Sequence, residues 1–300
     1  MSTYICAEVG INWDGEFSKA VRLIHAAAEA GVDAVKFQLR TPELAVPEAE
    51  WNELRDTPWG ERMSKLAYRK RMEFSAEQLA ELQREARMAG VAMGVSVFDV
   101  PSLERENALA CPWIKIPSAR VTDLELVVAA ANQAARRGAQ ALVLSTGGIA
   151  EEQTRTAVVV AYARLTASTP LHLECPELWV LHCHMAYPAP TTELNLMCVP
   201  RLAAWMHETF GDEGWRVGYS GHEYGRSPTE WAVALGAEVV ERHITLDRNA
   251  KGSDHAASLE PWAFKRLVEH IRAMDGGALG DGVKRIWDSE LPAIARLRTA

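Results

Sequence analysis

Two acids and two histidines in the last third of the chain have the spacing of a metal site. Glu241 and His243 lie two positions apart in an apolar run, residues 238–246, that is typical of a buried strand, so their side chains should point to the same side. Burying a carboxylate and an imidazole without partners is costly. His222, at the end of the preceding predicted strand, and Asp254, on a following loop, could complete the set. The pattern predicts a divalent-metal site.

Each histidine by itself has a simpler interpretation, because a single histidine at a strand end is more often a hydrogen-bonded core or surface group. His182 and His184 flank Cys183 and could add a ligand. Their spacing fits no closed zinc motif, and adjacent strand residues face opposite sides. Spacing alone therefore leaves both the metal interpretation and the core interpretation open.

Two lysines lie inside predicted apolar strands, where a charged group is unfavourable unless it meets an anion. They are Lys36, in residues 34–38, and Lys115, in residues 113–116. A lysine can instead bury its stem and extend its ammonium group to water, but two lysines at the same end of a fold favour an anion site. Hydroxyl donors could come from Ser118 and Ser145. The pair Gly147-Gly148 would let the backbone approach a phosphate closely.

Strand-like and helix-like segments alternate along the whole chain. The strands are predicted at 4–8, 34–38, 91–97, 113–116, 141–145, 178–183, 216–220 and 238–245. The helices are predicted at 17–30, 75–90, from Asp99, from a capping box at 122–125 to Arg137, and at 151–165, 195–210, 228–235 and 261–274.

This alternation is typical of an α/β protein with the (β/α)8 TIM-barrel fold. An open doubly wound sheet is the alternative, but no glycine-rich dinucleotide turn follows the first strand. In a barrel the site lies at the carboxyl ends of the strands. The unusual polar residues are predicted there: Glu8, Lys36, Gln38, Ser96, Lys115, Ser118, Ser145, His182, His184, His222, Glu241 and His243.

Length and composition set further limits. The chain has 300 residues, 48% of them hydrophobic, which suffices for one large domain. We expect a single domain over 1–300, with an insertion at 39–74 that is too long for an ordinary loop and could be a lid. The tail at 276–300 should pack on the barrel or extend from it.

The charge balance bears on partners and location. The net charge is −8 and no basic block stands out, so nucleic acid and anionic membranes are poor partners. No signal peptide and no apolar run of transmembrane length is visible. Five scattered cysteines suit a reducing compartment. We therefore expect a cytoplasmic protein.

Several short stretches run in order along nearly the whole chain: AEVGIN (7–12), AVKFQ (34–38), IKIPS (114–118), LSTG (144–147), LHC (181–183) with YPAP (187–190), VGYSGH (217–222), and ERHITLDR (241–248) with Asp254-His255 and SLEP (258–261). In these stretches the sequence resembles the sialic acid (N-acetylneuraminate) synthase family, whose members condense phosphoenolpyruvate with an N-acetylated sugar. The similarity is to the barrel domain alone, without the antifreeze-like domain that normally follows it.

The resemblance implies roles for these residues. His222 and His243 would hold a divalent metal, manganese or magnesium, that polarises the aldehyde of an open-chain aldose. The enol carbon of phosphoenolpyruvate would then attack the aldehyde, and water addition would release phosphate. Residues expected to bind substrate are Lys36, Gln38, Ser96, Lys115, Ser118, Ser145 and Tyr187, and those expected to act in catalysis are Glu8, Glu241 and Asp254.

Some positions depart from the family pattern. Trp13 and Gly221 stand where the family usually has His and Asp, and His184-Met185 replaces a Thr/Ser pair near the phosphate. The antifreeze-like domain normally supplies an arginine from a neighbouring subunit, so the acceptor sugar and the contacts of a possible homodimer could differ here. The insertion could compensate. Two other functions stay open: an aldol-type condensation without phosphoenolpyruvate, and a non-catalytic metabolite-binding homologue.

Overall fold

In the part of the chain that the computed structural model describes, residues 2–298, eight parallel strands close into a barrel. In barrel order they are β1 (Tyr4–Glu8), β2 (Ala34–Leu39), β5 (Ala92–Val97), β6 (Trp113–Ile116), β7 (Ala141–Ser145), β8 (Glu177–Cys183), β9 (Trp215–Gly221) and β10 (Val239–His243). The predicted TIM barrel is confirmed. Its closure pairs β1 with β10 so that Glu8 lies beside His243.

Helices cover the outside of the barrel. They are α1 (Phe17–Ala30), α4 (Ala76–Met88), α5 (Val100–Leu109), α6 (Leu124–Arg137), α7 (Glu151–Ser168), α8 (Cys198–Phe210), α9 (Ser227–Ala234) and α10 (Pro261–Ala273). Helix α1 shows why they form, because Ala20, Leu23, Ile24 and Ala27 make one buried stripe. Ser75 and Gln78 make the predicted capping box of α4.

The predicted capping box at 122–125 is wrong by one residue. Asp123, not Thr122, caps α6, and its Oδ1 accepts a hydrogen bond of 3.0 Å from the Leu126 N–H. A carboxylate is at least as good an N-cap as a threonine hydroxyl, and it is further favoured at the positive end of the helix.

The interior of the barrel is a packed core below the site. Trp113 and Trp179 fill it together with small neighbours such as Ala34 and Ala141. Gly94 is required here, since a Cβ at that position would lie 2.1 Å from the Trp113 ring. Inward side chains therefore support the carboxyl end of the barrel from beneath, as in other barrels of this type.

The insertion after β2 is more ordered than the sequence indicated. It contains α2 (Pro42–Ala45), an antiparallel hairpin of β3 (Leu54–Asp56) and β4 (Arg62–Ser64), and α3 (Lys65–Arg71). Strands of three residues are too short to show an alternating pattern. The segment is anchored on the barrel by Tyr68, which is buried, and by Phe74, whose ring stacks on Trp13 at 4.0 Å.

The tail extends from the barrel over its described part, residues 276–298, which is exposed for most of its length and ends in α11 (Leu291–Leu297). Just before it, Asp275 accepts hydrogen bonds from the backbone and side chain of Thr3. None of the helices described, from residue 2 to residue 298, has both the length and the apolar character needed to cross a bilayer.

Candidate active site

A cavity of about 310 Å³ opens at the carboxyl ends of the strands. The structure brings together the twelve residues that were expected to bind substrate or metal or to act in catalysis. The cavity is lined by Glu8, Lys36, Gln38, Ser96, Lys115, Ser118, Ser145, Tyr187, His222, Glu241, His243 and Asp254. Their place in the fold is thus established, while their roles in catalysis remain predictions.

Two lysines and two glutamates form a buried ion network at the floor of this cavity. The Lys36 ammonium lies 2.5 Å from Glu8 Oε2 and 3.6 Å from Glu241 Oε1, and it donates a hydrogen bond of 2.7 Å to Ser96 Oγ. Lys115 donates one of 2.9 Å to Glu241 Oε2. Each of these charged side chains is less than one tenth exposed. Such charges are tolerated only because they are paired.

The network divides its protons unevenly. Burial opposes ionisation of Glu241, but the ammonium groups of Lys115 and Lys36 outweigh it and hold the Glu241 pKa below its usual range. Burial likewise opposes charge on Lys36, yet Glu241 and Glu8 raise the pKa of that lysine. Burial raises the pKa of Glu8, because Lys36 compensates only in part and Glu241 adds repulsion. Glu8 is therefore the group best placed to exchange a proton near neutral pH.

The two predicted metal-binding histidines face each other across the rim, with ring centroids 5.2 Å apart. The His222 Nδ1 lies 2.5 Å from the carbonyl oxygen of His184. A carbonyl only accepts, so Nδ1 carries the proton and the Nε2 lone pair is left for a ligand. Tyr187 stacks on His222 with a centroid distance of 4.0 Å and holds its ring in place.

Both imidazoles are in the form that binds metal. Burial, with a contribution from His243, lowers the pKa of His222 to about 3, and burial also lowers the pKa of His243. His243 Nδ1 is buried and has no hydrogen-bond partner among residues 2–298. Asp254 Oδ2 lies 3.6 Å from it, beyond hydrogen-bond distance. A buried lone nitrogen of this kind is a natural place for a ligand.

These residues fit a divalent metal as an open, two-nitrogen site. Across the described residues, no group of three or more His, Cys, Asp or Glu side chains is placed to enclose a metal ion. A closed structural site is therefore not built here. Two neutral imidazoles with a carboxylate nearby would leave coordination positions for substrate, as catalytic sites do.

A second ion pair lies directly outside the histidines. Arg242 Nη1 donates a hydrogen bond of 2.8 Å to Glu223 Oε1, and both side chains are fully buried. Tyr219 and Thr229 donate hydrogen bonds to the same carboxylate, at 2.8 and 3.1 Å. Since Glu223 follows His222 and Arg242 precedes His243, this pair fixes the two strand ends that carry the histidines.

Another contact holds the loop that carries Asp254. His255, the next residue, is buried between Thr245 Oγ1, 2.7 Å from its Nδ1, and Asp14 Oδ1, 3.2 Å from its Nε2. Asp14 adopts a positive φ of 53°, which is uncommon outside glycine. The loop after β1 is thus tied to the loop after β10.

The glycine pair proposed for phosphate approach is covered. The Met185 side chain lies over it, so that a Cβ at Gly148 would be 2.6 Å from the Met185 sulfur. Gly147 N donates a hydrogen bond of 3.0 Å to Ser118 Oγ. An apolar side chain therefore forms this wall, where the resemblance led us to expect a Thr/Ser pair.

Some predicted candidates lie outside the cavity. His182 points outward, where its Nε2 is 2.7 Å from the carbonyl oxygen of Leu194 and it borders a separate cavity of about 200 Å³ beside α7 and α8. The His184 ring pairs with Glu193 at 3.2 Å. His182 and His184 are thus not ligands of the site.

The glycine at position 221, where the resemblance led us to expect an aspartate, has a structural reason. A Cβ at Gly221 would lie 2.6 Å from Glu223 Oε2.

Sequence reasoning missed two cationic residues of the cavity wall. Arg40 follows β2, and Arg69 lies on α3 of the insertion. Arg40 could have been predicted, because it comes two residues after Gln38 at a strand end. No feature of the sequence indicated Arg69, because only the packing of the insertion brings it to the cavity.

Comparison with known proteins assigns the family. A profile of the NeuB family matches residues 23–284. The chain is 32% identical to the human N-acetylneuraminate-9-phosphate synthase, over 98% of this chain and 76% of that protein. It is also 32% identical to the N,N'-diacetyllegionaminic acid synthase of Legionella pneumophila, over 99% of this chain and 79% of that one.

Solved structures agree. The crystal structure of the N-acetylneuraminic acid synthetase of Leptospira borgpetersenii, in complex with citrate, superposes with a TM-score of 0.79 and 27% identity, over 99% of this chain and 91% of that one. The spore coat polysaccharide biosynthesis protein SpsE of Bacillus subtilis gives a TM-score of 0.73 and 29% identity, over 97% and 73%. The chain therefore belongs to the NeuB family of synthase-like enzymes.

Proposed function

We propose that the protein joins phosphoenolpyruvate to an aldose such as an N-acetylated hexosamine, in a metal-dependent reaction, and releases a 2-keto-3-deoxy sugar acid and phosphate. The observation that carries this proposal is that two neutral imidazoles and a pair of buried lysines face each other in the same cavity. The names of the relatives, which are synthases of sialic and legionaminic acids, support the same class of reaction.

The lysine side of the cavity suits phosphoenolpyruvate. Lys36 and Lys115 offer ammonium donors. Hydroxyl groups come from Ser96 on β5, Ser145 on β7, and Ser118 in the turn after β6. Charge-assisted hydrogen bonds to phosphate and carboxylate are stronger than neutral ones. The Glu241 carboxylate keeps the two ammonium groups in fixed positions before the ligand arrives, so little reorganisation is needed on binding.

The histidine side suits the acceptor. His222 and His243 would hold the divalent metal, which supplies Lewis-acid polarisation of the aldehyde carbonyl when bound. Tyr187 covers His222 and limits access of water to this side. Asp254, whose Oδ2 lies 3.6 Å from His243 Nδ1, can orient a sugar hydroxyl.

The reaction balances when the two protons of the water are followed. The enol carbon of phosphoenolpyruvate forms a bond with the aldehyde carbon, and the aldehyde oxygen takes up a proton to become a hydroxyl. Water adds to the neighbouring carbon and gives one proton to a nearby base, which replaces the proton taken up by the aldehyde oxygen. The other water proton leaves with phosphate when the C–O bond breaks and the keto group forms. Glu8 fits the role of the base, because burial raises its pKa and Gln38 Nε2 orients its Oε1 with a hydrogen bond of 2.6 Å.

Phosphate release tests the proposal. The purified protein, supplied with MnCl2 and phosphoenolpyruvate, should release phosphate when an N-acylhexosamine is added, and chelation by EDTA should stop the release until manganese is restored. Absence of release with every N-acylhexosamine and simple aldose, metal present, would contradict it.

Metal binding can be measured without turnover. Mn²⁺ at one hundred times its dissociation constant should stabilise the folded protein by about 2.7 kcal/mol, seen as a rise in melting temperature. The rise should vanish in His222→Ala, and it should persist in His182→Ala, whose imidazole faces the outer cavity. An equal rise in both variants would place the metal elsewhere.

The alternative without phosphoenolpyruvate is favoured by one observation, the Met185 side chain that covers Gly147 and Gly148. That alternative predicts no change in melting temperature with phosphoenolpyruvate, in the native protein or in Met185→Ser. The main proposal predicts stabilisation in both, larger in Met185→Ser because the glycine backbone is then open to the phosphate.

A further inference from the structure

An outer cavity lies beside α7 and α8, and none of the residues assigned to the reaction lines it. Its volume is about 200 Å³, below the range of about 300–1,000 Å³ that is typical of sites for drug-sized molecules. Strand β8 separates it from the active-site cavity, because Cys183 borders both cavities whereas His182 borders the outer one alone. The outer cavity therefore suits one small molecule, which can be bound while the active site is occupied.

The mouth of the outer cavity carries an excess of positive charge. Arg155 on α7 and Arg201 on α8 share one carboxylate, that of Glu151, at 2.6 and 3.3 Å. One net positive charge therefore remains there, although the whole chain carries −8. Within residues 2–298 both arginines donate through Nη2 to Glu151 and to no other side chain. Their remaining guanidinium nitrogens are available to an anion, and guanidinium groups match the geometry of carboxylates.

The walls of the outer cavity are largely apolar. Ile149, Leu202 and Trp205 line it, and the guanidinium carbon of Arg155 lies 5.0 Å from the centre of the Trp205 ring. Covering such walls with an apolar body is favourable, because it removes their surface from water. An inorganic anion alone would leave these walls wet. The charged mouth and the apolar walls together favour an organic acid with an apolar body.

The base of the outer cavity offers hydrogen-bond acceptors. His182 Nε2 donates to the carbonyl oxygen of Leu194 at 2.7 Å, and burial lowers the pKa of this imidazole, so Nδ1 carries a lone pair. Within residues 2–298 no group donates to this Nδ1. The Thr146 hydroxyl donates to the carbonyl oxygen of Leu181 at 3.1 Å and presents its lone pairs to the cavity. A ligand that fills the base must therefore bring an O–H or N–H donor.

We propose that the outer cavity is a second small-molecule site, which binds an organic acid with an apolar body and a hydroxyl group at the end remote from its carboxylate. The carboxylate lies at Arg155 and Arg201, the body lies against Trp205, and the hydroxyl donates to His182 Nδ1. The inference does not depend on the proposed function, since none of these four residues lines the active-site cavity.

The test uses 4-hydroxybenzoate, a probe that has all three features. Isothermal titration calorimetry with the purified protein should detect one molecule bound per chain. Benzoate, which lacks the hydroxyl group, should bind about 5-fold more weakly, the size of one neutral hydrogen bond. 4-Hydroxybenzyl alcohol, which lacks the carboxylate, should bind about 10-fold more weakly or worse. Failure of 4-hydroxybenzoate to bind, or equal binding of the three compounds, would overturn the inference.

Two variants test the assigned contacts. Arg155→Ala should weaken the binding of 4-hydroxybenzoate by about 10-fold. Arg164→Ala is the matched control, because Arg164 is exposed on the same helix and does not line the outer cavity, so its loss should leave the affinity unchanged. His182→Phe should remove the difference between 4-hydroxybenzoate and benzoate. Native affinity in Arg155→Ala, an equal loss in Arg164→Ala, or a difference that persists in His182→Phe would each contradict the proposal.

Two further measurements locate the probe. Saturating MnCl2 and phosphoenolpyruvate should not displace 4-hydroxybenzoate, because β8 separates the two cavities. The probe should also slow the alkylation by iodoacetamide of Cys198, which lines the outer cavity, and leave that of Cys175, which is exposed elsewhere, unchanged. Displacement by phosphoenolpyruvate would place the probe in the active-site cavity, and an unaltered alkylation rate of Cys198 would place it outside the outer cavity. Either result would end the inference.

Discussion

Consecutive residues of β10 belong to two different buried ion networks. Glu241 and His243 point into the barrel, where they meet Lys115 and Lys36. Arg242, between them, points outward and pairs with Glu223. Both networks are buried, and both connect strand ends.

The two networks differ in how completely their buried polar atoms are hydrogen-bonded. In the outer network both Glu223 oxygens accept hydrogen bonds, and among the side-chain nitrogens of Arg242 only Nε has no partner within residues 2–298. In the inner site, Glu8 Oε2 is paired with the Lys36 ammonium at 2.5 Å, but His243 Nδ1 is buried without a hydrogen bond from the described chain. A buried network that serves structure completes its own bonds, whereas one that serves a ligand leaves positions open.

The largest effect is expected from breaking the outer pair. Arg242→Met leaves the Glu223 carboxylate buried without a cation, which should lower the free energy of unfolding by about 3–5 kcal/mol, measured by urea denaturation. Arg216→Met is the control, because Arg216 and Glu177 form a part-exposed pair at 2.8 Å and its loss should cost about 1 kcal/mol or less. The double variant Arg242→Met with Glu223→Met should recover part of the loss. Similar costs for Arg242 and Arg216 would contradict the comparison.

The inner network should respond in the opposite way. Glu8→Gln keeps the shape of the side chain but removes its proton-exchange role, so the rate of phosphate release should fall about 10²- to 10⁴-fold. Stability should change by about 1 kcal/mol or less, because Lys36 keeps Glu241 as a partner. A large loss of stability with activity retained would show that Glu8 is structural.

Glu73 resembles the outer network in one of its oxygens and the inner site in the other. Its effect on the free energy of unfolding should be smaller than that of the Arg242–Glu223 pair. One oxygen accepts the Arg40 N–H, while Oε1 is buried without a partner in residues 2–298, and burial raises the Glu73 pKa from 4.5 to about 7. The folded state then holds the proton more tightly than the unfolded state. Stability should therefore fall by about 1–3 kcal/mol as pH rises from 4.5 to 7.

Glu73→Gln is the variant that checks this. It keeps an oxygen acceptor for the Arg40 N–H and cannot ionise, so this part of the pH dependence should be absent from its denaturation curves. Glu77→Gln, at an exposed position four residues later, should retain the native slope. If Glu73→Gln retained it too, the carboxylate would be solvated rather than buried.

Much of the fold could be predicted from the sequence, because the apolar strands and helix stops repeat regularly. Strands β1, β6 and β7 have the predicted bounds, and the polar residues at the strand ends meet in one cavity. Closure of a barrel forces all carboxyl ends to one side. A residue at a strand end can therefore be placed without knowledge of its contacts.

The remainder depended on contacts that no periodicity records. The hairpin of β3 and β4 and the position of Arg69 follow from how the insertion packs through Tyr68 and Phe74. The partner of Arg242 could not be predicted either. An arginine in an apolar strand is unexpected, and only the structure shows that Glu223 lies beside it. Met185 was identified as a departure, but only the structure shows that it covers the glycine pair.

The alternation of Glu241, Arg242 and His243 has a consequence for how this family can vary. Deleting or inserting one residue within β10 would exchange the two sides of the strand, turning the guanidinium toward the substrate and the imidazole toward the helices. Changes in chain length are therefore tolerable in the loops that follow the strands, as with the segment between Leu39 and Phe74, and not inside the strand itself. Differences in substrate among related enzymes should accordingly arise from insertions at the rim. The alternation of inward and outward residues along the last strand should stay the same.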